Sequence, residues 1–346
     1  MTELKVSSDN PRRAGVSSFG IGGTNAHAIL EEASQQPVIS HPERPAQLFV
    51  MSAKTKASLA RSVKNLGHFI HDQKLTDMPS IAHTMQVRRT HWEYRTCLVG
   101  SDANQVSKSL QKISVHEPSF VNPELTTSLI FMFSVQGAQY VNMGLALYQS
   151  EPLFTQTVNQ CCKILYSEMH IDLLSILYPS HKDEGETRKK ILQTQYAQLG
   201  LFVIEYAMSE LFLGLGVKPV ALMGHSIGEY VAATVAGVFS LRGALCLVTS
   251  RGRLMQSMPS GAMLSVACSY DDLQLILPNT IDISAVNGPQ LCVISGAFEA
   301  IIFFEKKLSN SGISYSRLHT SHAFHSRMML PVYNEYKDLL DKIKKN

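Results

Sequence analysis

Residues Gly216 to Ala233 read GVKPVALMGHSIGEYVAA, a stretch that predicts a buried strand, a sharp turn and a helix of small residues. The turn contains Gly224-His225-Ser226-Ile227-Gly228, which has the GxSxG pattern of a nucleophile elbow. The glycines let strand and helix approach closely, so that Ser226 is held on a strained turn with its hydroxyl exposed. Free N–H groups at the start of the helix can stabilise an oxyanion. The stretch therefore predicts a serine nucleophile at the edge of an α/β sheet.

On both sides of this elbow the sequence alternates between short apolar runs and helical periods. SLIFMFSV, at residues 128–135, is a second candidate for a buried parallel strand, and residues 196–215 have helical periodicity. After Gly261 the predicted order is strand, helix, strand, strand, helix, strand, which is the ferredoxin-like pattern. We therefore predict an α/β domain over residues 127–346, with an inserted ferredoxin-like small subdomain at residues 262–320.

The sequence before residue 127 has a different character. Residues 1–34 are rich in small residues and end on an alternating run, AHAILEE, that favours a strand. Residues 33–45 contain three prolines and predict a linker. Residues 47–126 then alternate strand and helix signals. We therefore predict a short segment at residues 1–34, followed by a small α+β domain at residues 35–126.

Composition narrows the possible functions. The chain has 346 residues, of which 45% are hydrophobic and 17% charged, so it can form a sizeable core. Its formal net charge of +3 gives no reason to expect nucleic acid or an anionic membrane as partner. We expect no secretion leader and no membrane span, and hence a cytoplasmic protein. The six cysteines lack CxxC spacing and the 13 histidines are scattered, so we expect reduced thiols and no metal site.

A serine nucleophile needs a base, because its hydroxyl is not ionised at neutral pH. His225 is a poor candidate, since neighbouring residues on an elbow point in different directions. His322 and His325, in the string SHAFHS at residues 321–326, are better candidates because they follow the predicted small subdomain. Asp271, Asp272 and Asp282 lie between serine and histidine in chain order, as in a hydrolase, but nothing in their surroundings singles one out as a third acid.

Several strings together resemble the acyltransferase region of type I polyketide synthases and the related malonyl-CoA:acyl-carrier-protein transacylases. The resemblance covers nearly the whole chain in the expected order. Residues 11–32 resemble the C-terminal end of a ketosynthase, and residues 35–126 resemble the linker domain between ketosynthase and acyltransferase. The strings in the acyltransferase region are QGAQ (136–139), QTQYAQ (193–198), GVKPVALMGHSIGEYVAA (216–233), SRGRLMQ (250–256), AVNGP (285–289) and SHAFHS (321–326).

The resemblance implies an α/β-hydrolase-like large subdomain and a specific mechanism. A malonyl group would pass from coenzyme A to Ser226, and from there to the phosphopantetheine arm of an acyl carrier protein. No cofactor would be bound, and other polyketide synthase modules would be further partners. The implied roles are His325 as general base and then acid, the N–H groups of Gln136 and Ile227 as oxyanion hole, Arg251 as the group that binds the malonyl carboxylate, and Gln198, His322, Phe324 and Asn287 as substrate-binding residues.

Two details of the resemblance concern specificity and geometry. The HAFH string is similar to that of malonyl-selective members, whereas methylmalonyl-selective members typically carry YASH. Ser134 and Val135 stand where the family has proline and glycine, and we expect Val135 to distort the oxyanion loop.

His27 matches an active-site histidine of ketosynthases, but without the domain that carries the cysteine nucleophile we expect no condensation. We also expect an acyltransferase domain that is incomplete at its C-terminal end.

Two alternatives to the transferase remain open. The chain would be a non-catalytic fragment, or one half of a split pair that needs a partner, if the missing strands leave an uncovered sheet edge. It would be an esterase if the GxSxG serine serves a hydrolase. Arg251 discriminates between transferase and esterase, because a guanidinium pairs bidentately with a carboxylate and has no role for an uncharged ester.

Overall fold

The computed structural model describes residues 11–33, 44–113, 119–121 and 128–343. The chain divides into two compact units, Met1–Pro118 and Ser119–Asn346. The domain boundaries predicted near residues 34 and 126 lie outside the described residues.

The first unit contains a hairpin and a small α+β fold. The strands β1 (Arg13–Phe19) and β2 (Asn25–Glu31) pair antiparallel and are exposed along their whole length. A second antiparallel pair carries helices that bury Phe49, Leu59 and Leu110 in one apolar core. The elements of this fold are β3 (Gln47–Ala53), α1 (Lys56–Asp72), α2 (Met78–Val87), β4 (Tyr94–Gly100) and α3 (Ala103–Lys112).

The three helices of the first unit each begin at a capping side chain. Thr55, Asp77 and Asp102 accept hydrogen bonds from the backbone N–H groups of Ser58, Ser80 and Gln105. Such caps satisfy N–H groups that have no partner within the helix. Local sequence therefore determines where these helices begin.

The second unit begins with a helical region around a pair of parallel strands, β6 and β7, whose register places Phe133 opposite Gly224. The long helix α8 lies in the largest apolar core and packs against α5 and α10. The elements are β5 (Ser119–Phe120), β6 (Ile130–Phe133), α4 (Leu145–Ser150), α5 (Pro152–Met169), α6 (Leu173–Leu177), α7 (Glu184–Lys190), α8 (Thr194–Gly214), β7 (Ala221–Gly224), α9 (Gly228–Val235) and α10 (Leu241–Gln256).

The unit continues with a four-stranded antiparallel sheet in the order β11-β8-β10-β9. Two helices contribute Leu273, Ile301 and Phe304 to the core of this sheet. The chain order is the strand–helix–strand–strand–helix–strand order of a ferredoxin-like unit. Its elements are β8 (Ala262–Val266), α11 (Tyr270–Ile276), β9 (Ile281–Gly288), β10 (Leu291–Gly296), α12 (Phe298–Asn310) and β11 (Tyr315–Arg317), followed by a 3-10 helix (Arg327–Val332) and α13 (Tyr333–Lys342).

The predicted α/β class is confirmed by this architecture, which combines a parallel strand pair among helices with a separate antiparallel sheet. Within the described ranges, only α8 is long and apolar enough to cross a membrane by length and composition. Most of that helix is buried in the protein core, where its apolar side chains already have packing partners.

Candidate active site

The GxSxG segment forms a tight strand-to-helix turn between β7 and α9. Ser226 at its centre has a φ of 56°, in the left-handed region. A Cβ at Gly224 would lie 2.1 Å from the carbonyl carbon of Gly228, and a Cβ at Gly228 would lie 2.6 Å from the carbonyl oxygen of Phe133. Only glycine fits at either position, because the turn brings backbone against backbone. The sequence pattern thus produces the predicted elbow and projects Ser226 from the end of β7.

His325 lies next to the serine although 99 residues separate them. Its Nε2 is 2.9 Å from the Ser226 Oγ, at hydrogen-bond distance. A buried bond from the Ser326 Oγ to the carbonyl of Ala323 (2.6 Å) closes the turn that carries His325, whose φ is 54°. With a neutral imidazole the serine hydroxyl donates to Nε2, which is the arrangement of a nucleophile and its base.

The electrostatic surroundings favour the neutral form of this imidazole. Desolvation lowers the pKa of His325 below its ordinary value, and the positive charge of Arg251 and the nearby His225 lower it further. Nδ1 of His325 makes no hydrogen bond with any described residue. Asp282 binds the Arg327 side chain and Asp272 bonds to Ser269, so neither of these carboxylates orients the histidine. The described site therefore contains a Ser–His pair without a third acid.

Arg251 brings a buried positive charge to the serine. The residue lies on α10, is 8% exposed, and donates from Nη2 to the Ser226 Oγ over 3.0 Å. Burial lowers its pKa, as expected for a cation taken out of water. Among the described residues no carboxylate pairs with it. A buried guanidinium without an anion favours a site that accepts a negatively charged group.

The predicted oxyanion-hole residues both come shortly after one of the two paired parallel strands, β6 and β7. Ile227 follows Ser226 at the start of α9, and Gln136 lies in the loop that follows β6, the parallel neighbour of β7. Within the described part of the chain, the backbone N–H groups of both residues donate no hydrogen bond. Two free N–H groups at the ends of adjacent parallel strands have the character of an oxyanion hole.

The loop after β6 contains Ser134 and Val135, the two departures from the family pattern. Val135 has a negative φ and is exposed, whereas Gly137 takes the left-handed conformation with a φ of 127°. The backbone N–H and the hydroxyl of Ser134 both donate to the Oε1 of Glu205 on α8. The positive φ of this loop thus lies at a glycine, and the distortion expected from Val135 stays a prediction.

Gln198 and Phe324 line the same region. Gln198 is 1% exposed, and its Nε2 donates to the Gln136 Oε1 (3.2 Å) and to the Met255 Sδ (3.4 Å). Its Oε1 is buried without a hydrogen-bond partner. Phe324 is buried with Met263 and Val293 in a small apolar cluster against which Met255 also packs. Met255 thus contacts both the buried amide of Gln198 and the apolar cluster of Phe324, and Gln198 in turn contacts Gln136.

The other two predicted substrate-binding residues, His322 and Asn287, differ in burial. The Nδ1 of His322 lies 2.8 Å from the Ser321 Oγ and 3.5 Å from the Thr194 Oγ1. Burial lowers the pKa of this histidine, whose ring also packs against Phe324. Asn287 is exposed near the end of β9. The structure therefore places His322 in the interior against Phe324, and Asn287 at the surface.

Three residues near the site had no role in the sequence-based prediction. Tyr230 and Tyr336 lie beside Arg251, and Glu205 bonds to the loop that carries Gln136. Tyr230 follows Ser226 by four residues, so its position on the first turns of α9 was a signal that could have been used. Glu205 and Tyr336 reach the site only through tertiary packing, and no local pattern marks them.

Comparison with known proteins matches the two parts of the chain to two different families, and the matched relatives are polyketide synthases. The acyl transferase domain family matches residues 130–346, and the ketoacyl-synthetase C-terminal extension family matches residues 2–99. A phenolphthiocerol/phthiocerol polyketide synthase protein of Mycobacterium tuberculosis is 35% identical over 352 residues, which are 96% of this chain and 23% of that protein. The spectinabilin polyketide synthase system protein NorB of Streptomyces orinoci is 35% identical over 350 residues, 96% of this chain and 16% of that protein. The chain thus spans about a quarter or less of the length of these curated relatives.

Solved structures agree with this assignment. The acyl transferase domain of ZmaA superposes with a TM-score of 0.80 at 34% identity, over 88% of this chain and 70% of that one. The acyl transferase domain of SpnD, solved in complex with 2-(pent-4-yn-1-yl)malonyl, superposes with a TM-score of 0.77 at 27% identity, over 88% and 72% of the two chains. Fold and sequence family agree, and the chain belongs to the acyl transferase domain family of polyketide synthases.

Proposed function

We propose that this acyltransferase moves a malonyl group from coenzyme A to the phosphopantetheine arm of an acyl carrier protein, through an ester on Ser226. The observation that carries the proposal is the buried guanidinium of Arg251, 3.0 Å from the serine oxygen and without a carboxylate partner among the described residues. An acyl group with a free carboxylate supplies the missing anion, and bidentate pairing holds it beside the nucleophile. The substituted malonyl group bound to SpnD belongs to the same chemical class.

In the first half-reaction, the Ser226 Oγ attacks the thioester carbonyl while Nε2 of His325 takes its proton. The N–H groups of Gln136 and Ile227 bind the negative oxygen of the tetrahedral intermediate. The carbon–sulfur bond then breaks, and His325 gives the proton to the departing thiol of coenzyme A. An ester on Ser226 remains, with the malonyl carboxylate on Arg251.

In the second half-reaction, the thiol of the phosphopantetheine arm replaces coenzyme A. It loses its proton to His325 and attacks the ester carbonyl, so that a new thioester forms. The ester bond then breaks, and His325 returns the proton to the Ser226 oxygen. The scheme exchanges a thioester for an ester and back, and it needs proton transfer and charge stabilisation only.

The phosphopantetheine belongs to the carrier protein, so the proposed chemistry uses no cofactor bound to this chain. The described residues include no group of three or more histidine, cysteine, aspartate or glutamate side chains positioned to hold a metal. Coenzyme A thioesters and carrier proteins are intracellular substrates, and we propose a cytoplasmic location. Other polyketide synthase modules, as in the relatives, are the proposed further partners.

Mass spectrometry after incubation with malonyl-CoA tests the proposal. We expect an adduct of malonyl mass on the Ser226 peptide, no adduct in the Ser226→Ala variant, and a strong preference for malonyl-CoA over acetyl-CoA that Arg251→Ala removes. Failure to detect a malonyl adduct on wild-type Ser226 would contradict the transferase. Turnover of an uncharged ester that Arg251→Ala leaves unchanged would favour the esterase.

A second candidate function follows from the exposed strands of the parallel pair. Met132 on β6 is 73% exposed and Met223 on β7 is 52% exposed, whereas parallel sheets in α/β proteins normally have covered faces. We propose, as the alternative, that this chain is one half of a site completed by another polypeptide segment that covers these strands. Ser226 acylation that appears only when such a segment is added, together with cooperative unfolding of the mixture, would favour this alternative.

A further inference from the structure

Two tyrosines form a chain of contacts behind Arg251. The Tyr336 hydroxyl on α13 donates to the Tyr230 hydroxyl on α9 over 2.7 Å. The ring of Tyr230 lies against the guanidinium, with the Cζ of Arg251 5.5 Å from the ring centroid. Arg251 in turn donates to the Ser226 Oγ. These contacts link α13 to α9, α9 to α10, and α10 to the candidate nucleophile.

The contact between ring and guanidinium depends on where the ring is held. A cation over an aromatic face is attracted by the quadrupole of the ring, and this attraction falls away when the cation leaves that face. The backbone of α9 holds one end of the Tyr230 side chain, and the hydrogen bond from Tyr336 holds the hydroxyl end. The hydroxyl of Tyr336 can serve as donor throughout the neutral range, because the ordinary tyrosine pKa already lies near 10 and burial raises the pKa of Tyr336 further.

Packing of α13 against α10 brings Tyr336 to this position. A Cβ at Gly243, near the start of α10, would lie only 3.0 Å from the Cγ2 of Ile343, just after α13. The absence of a side chain at Gly243 thus lets the end of α13 lie close to α10. Tyr333, on the same helix, is exposed and makes no hydrogen bond with the described residues.

We propose that Tyr336 is a positioning residue that acts through Tyr230 to hold the Arg251 guanidinium beside Ser226, and that it thereby sets the preference for acyl groups with a free carboxylate. The preference for such groups rests on the proposed function. The positioning of Arg251 does not, since it concerns the chain before any acyl group binds. Removal of the Tyr336 hydroxyl frees the tip of the Tyr230 ring, so that the guanidinium samples more orientations.

The first experiment measures Arg251 directly, without a substrate. Phenylglyoxal modifies arginines at a rate that depends on how freely the guanidinium moves and on its exposure, and mass spectrometry resolves the Arg251 peptide. We expect Arg251 to react about 3- to 10-fold faster in Tyr336→Phe and in Tyr230→Phe than in the wild type, the range expected for one hydrogen bond. Tyr333→Phe, the matched control on α13, leaves the rate unchanged. Equal rates in wild type and Tyr336→Phe, with thermal unfolding unchanged, would overturn the proposal.

The second experiment measures selectivity. The ratio of kcat/KM for Ser226 acylation by malonyl-CoA to that by acetyl-CoA should fall about 3- to 10-fold in Tyr336→Phe, through a higher KM for malonyl-CoA. The double variant Tyr230→Phe/Tyr336→Phe should lose no more than the larger single loss, because both remove one interaction. An equal loss of kcat/KM with both thioesters would indicate a general structural role for Tyr336 and contradict its proposed role in selectivity.

The phenylglyoxal and selectivity experiments distinguish failure of the proposed malonyl transfer from failure of the proposed role of Tyr336. If the wild type takes no malonyl group, the proposed function fails, and the phenylglyoxal rates still decide whether Tyr336 positions Arg251. If the wild type takes malonyl and the selectivity ratio is the same in Tyr336→Phe, the proposed function stands and the inference about Tyr336 fails.

Discussion

The two sheets of the second unit supply the two partners of the candidate Ser–His pair, and they differ in how well they are covered. In the four-stranded sheet, β8 and β10 are almost wholly buried, and α11 and α12 pack their apolar side chains onto it. In the parallel pair of β6 and β7, Phe133 is buried while Met132 and Met223 are exposed. The nucleophile thus stands on the less covered sheet, and the base follows the well-packed one.

This difference shows that the two halves of the site depend on different forces. Ser226 is positioned by a turn whose geometry follows from two glycines within five residues. His325 is positioned by the packing of a whole antiparallel unit, whose Ser295 hydroxyl bonds to the carbonyl of Phe324 over 3.0 Å. Local backbone sterics fix the serine, and long-range apolar burial fixes the histidine.

The largest effects are expected when Ser226, beside the parallel pair, or His325, after the four-stranded sheet, is replaced. Ser226→Ala should abolish acylation, and His325→Ala should lower its rate by about 10²–10⁴-fold, because the hydroxyl then has no base. Stopped-flow or quench-flow acylation measures both rates. Thermal unfolding should be nearly unchanged in both variants, and a large loss of stability in either would mean that the residue holds the two regions together.

The next test compares a buried side chain beneath the four-stranded sheet with an exposed side chain on the parallel pair. Phe304→Ala, beneath the four-stranded sheet, should cost about 3–5 kcal/mol of unfolding free energy, since it removes a fully buried aromatic ring. Met132→Ala, on the parallel pair, should change the free energy by less than about 0.5 kcal/mol. Urea denaturation gives both values. A large cost at Met132 would show that its face is covered in solution, which would break the comparison.

A smaller effect is expected at the elbow. Gly228→Ala should destabilise the chain by about 1–3 kcal/mol and lower acylation, because the new Cβ would lie 2.6 Å from the carbonyl oxygen of Phe133. Gly185→Ala on α7 is the matched control, since a Cβ there meets nothing within 4 Å. Its stability should be equal to or slightly above that of the wild type. Similar stabilities for the two variants would show that the elbow can shift to accommodate the methyl group.

The smallest expected effect is a displacement of the pH profile. Acylation needs a neutral His325, so its rate should rise with pH through the pKa of this histidine and be level above it. Since burial and the Arg251 charge lower that pKa, half of the maximal rate should be reached below the ordinary histidine value of 6.5. Arg251→Ala, assayed with acetyl-CoA, should move the midpoint to higher pH. A midpoint that does not move would mean that the guanidinium exerts no electrostatic influence on His325.

The sequence was most informative where the structure depends on local patterns. The elbow, the two parallel strands and the six elements of the ferredoxin-like unit were all predicted from glycine spacing and apolar runs. The proximity of Ser226, His325 and Arg251 came from the family resemblance, since no local pattern links residues from an elbow, a helix and a distant loop. The contacts of His322, the exposure of Asn287 and the roles of Glu205 and Tyr336 needed the tertiary structure.

Ser226 and His325 share one feature, a backbone in the left-handed conformation, with φ values of 56° and 54°. For a residue with a side chain this costs about 1 kcal/mol or more, a cost that asparagine or glycine largely avoids. The backbone conformation by itself therefore favours asparagine at both positions, so the two side chains proposed for acyl transfer stand where the fold would accept a different residue at lower cost.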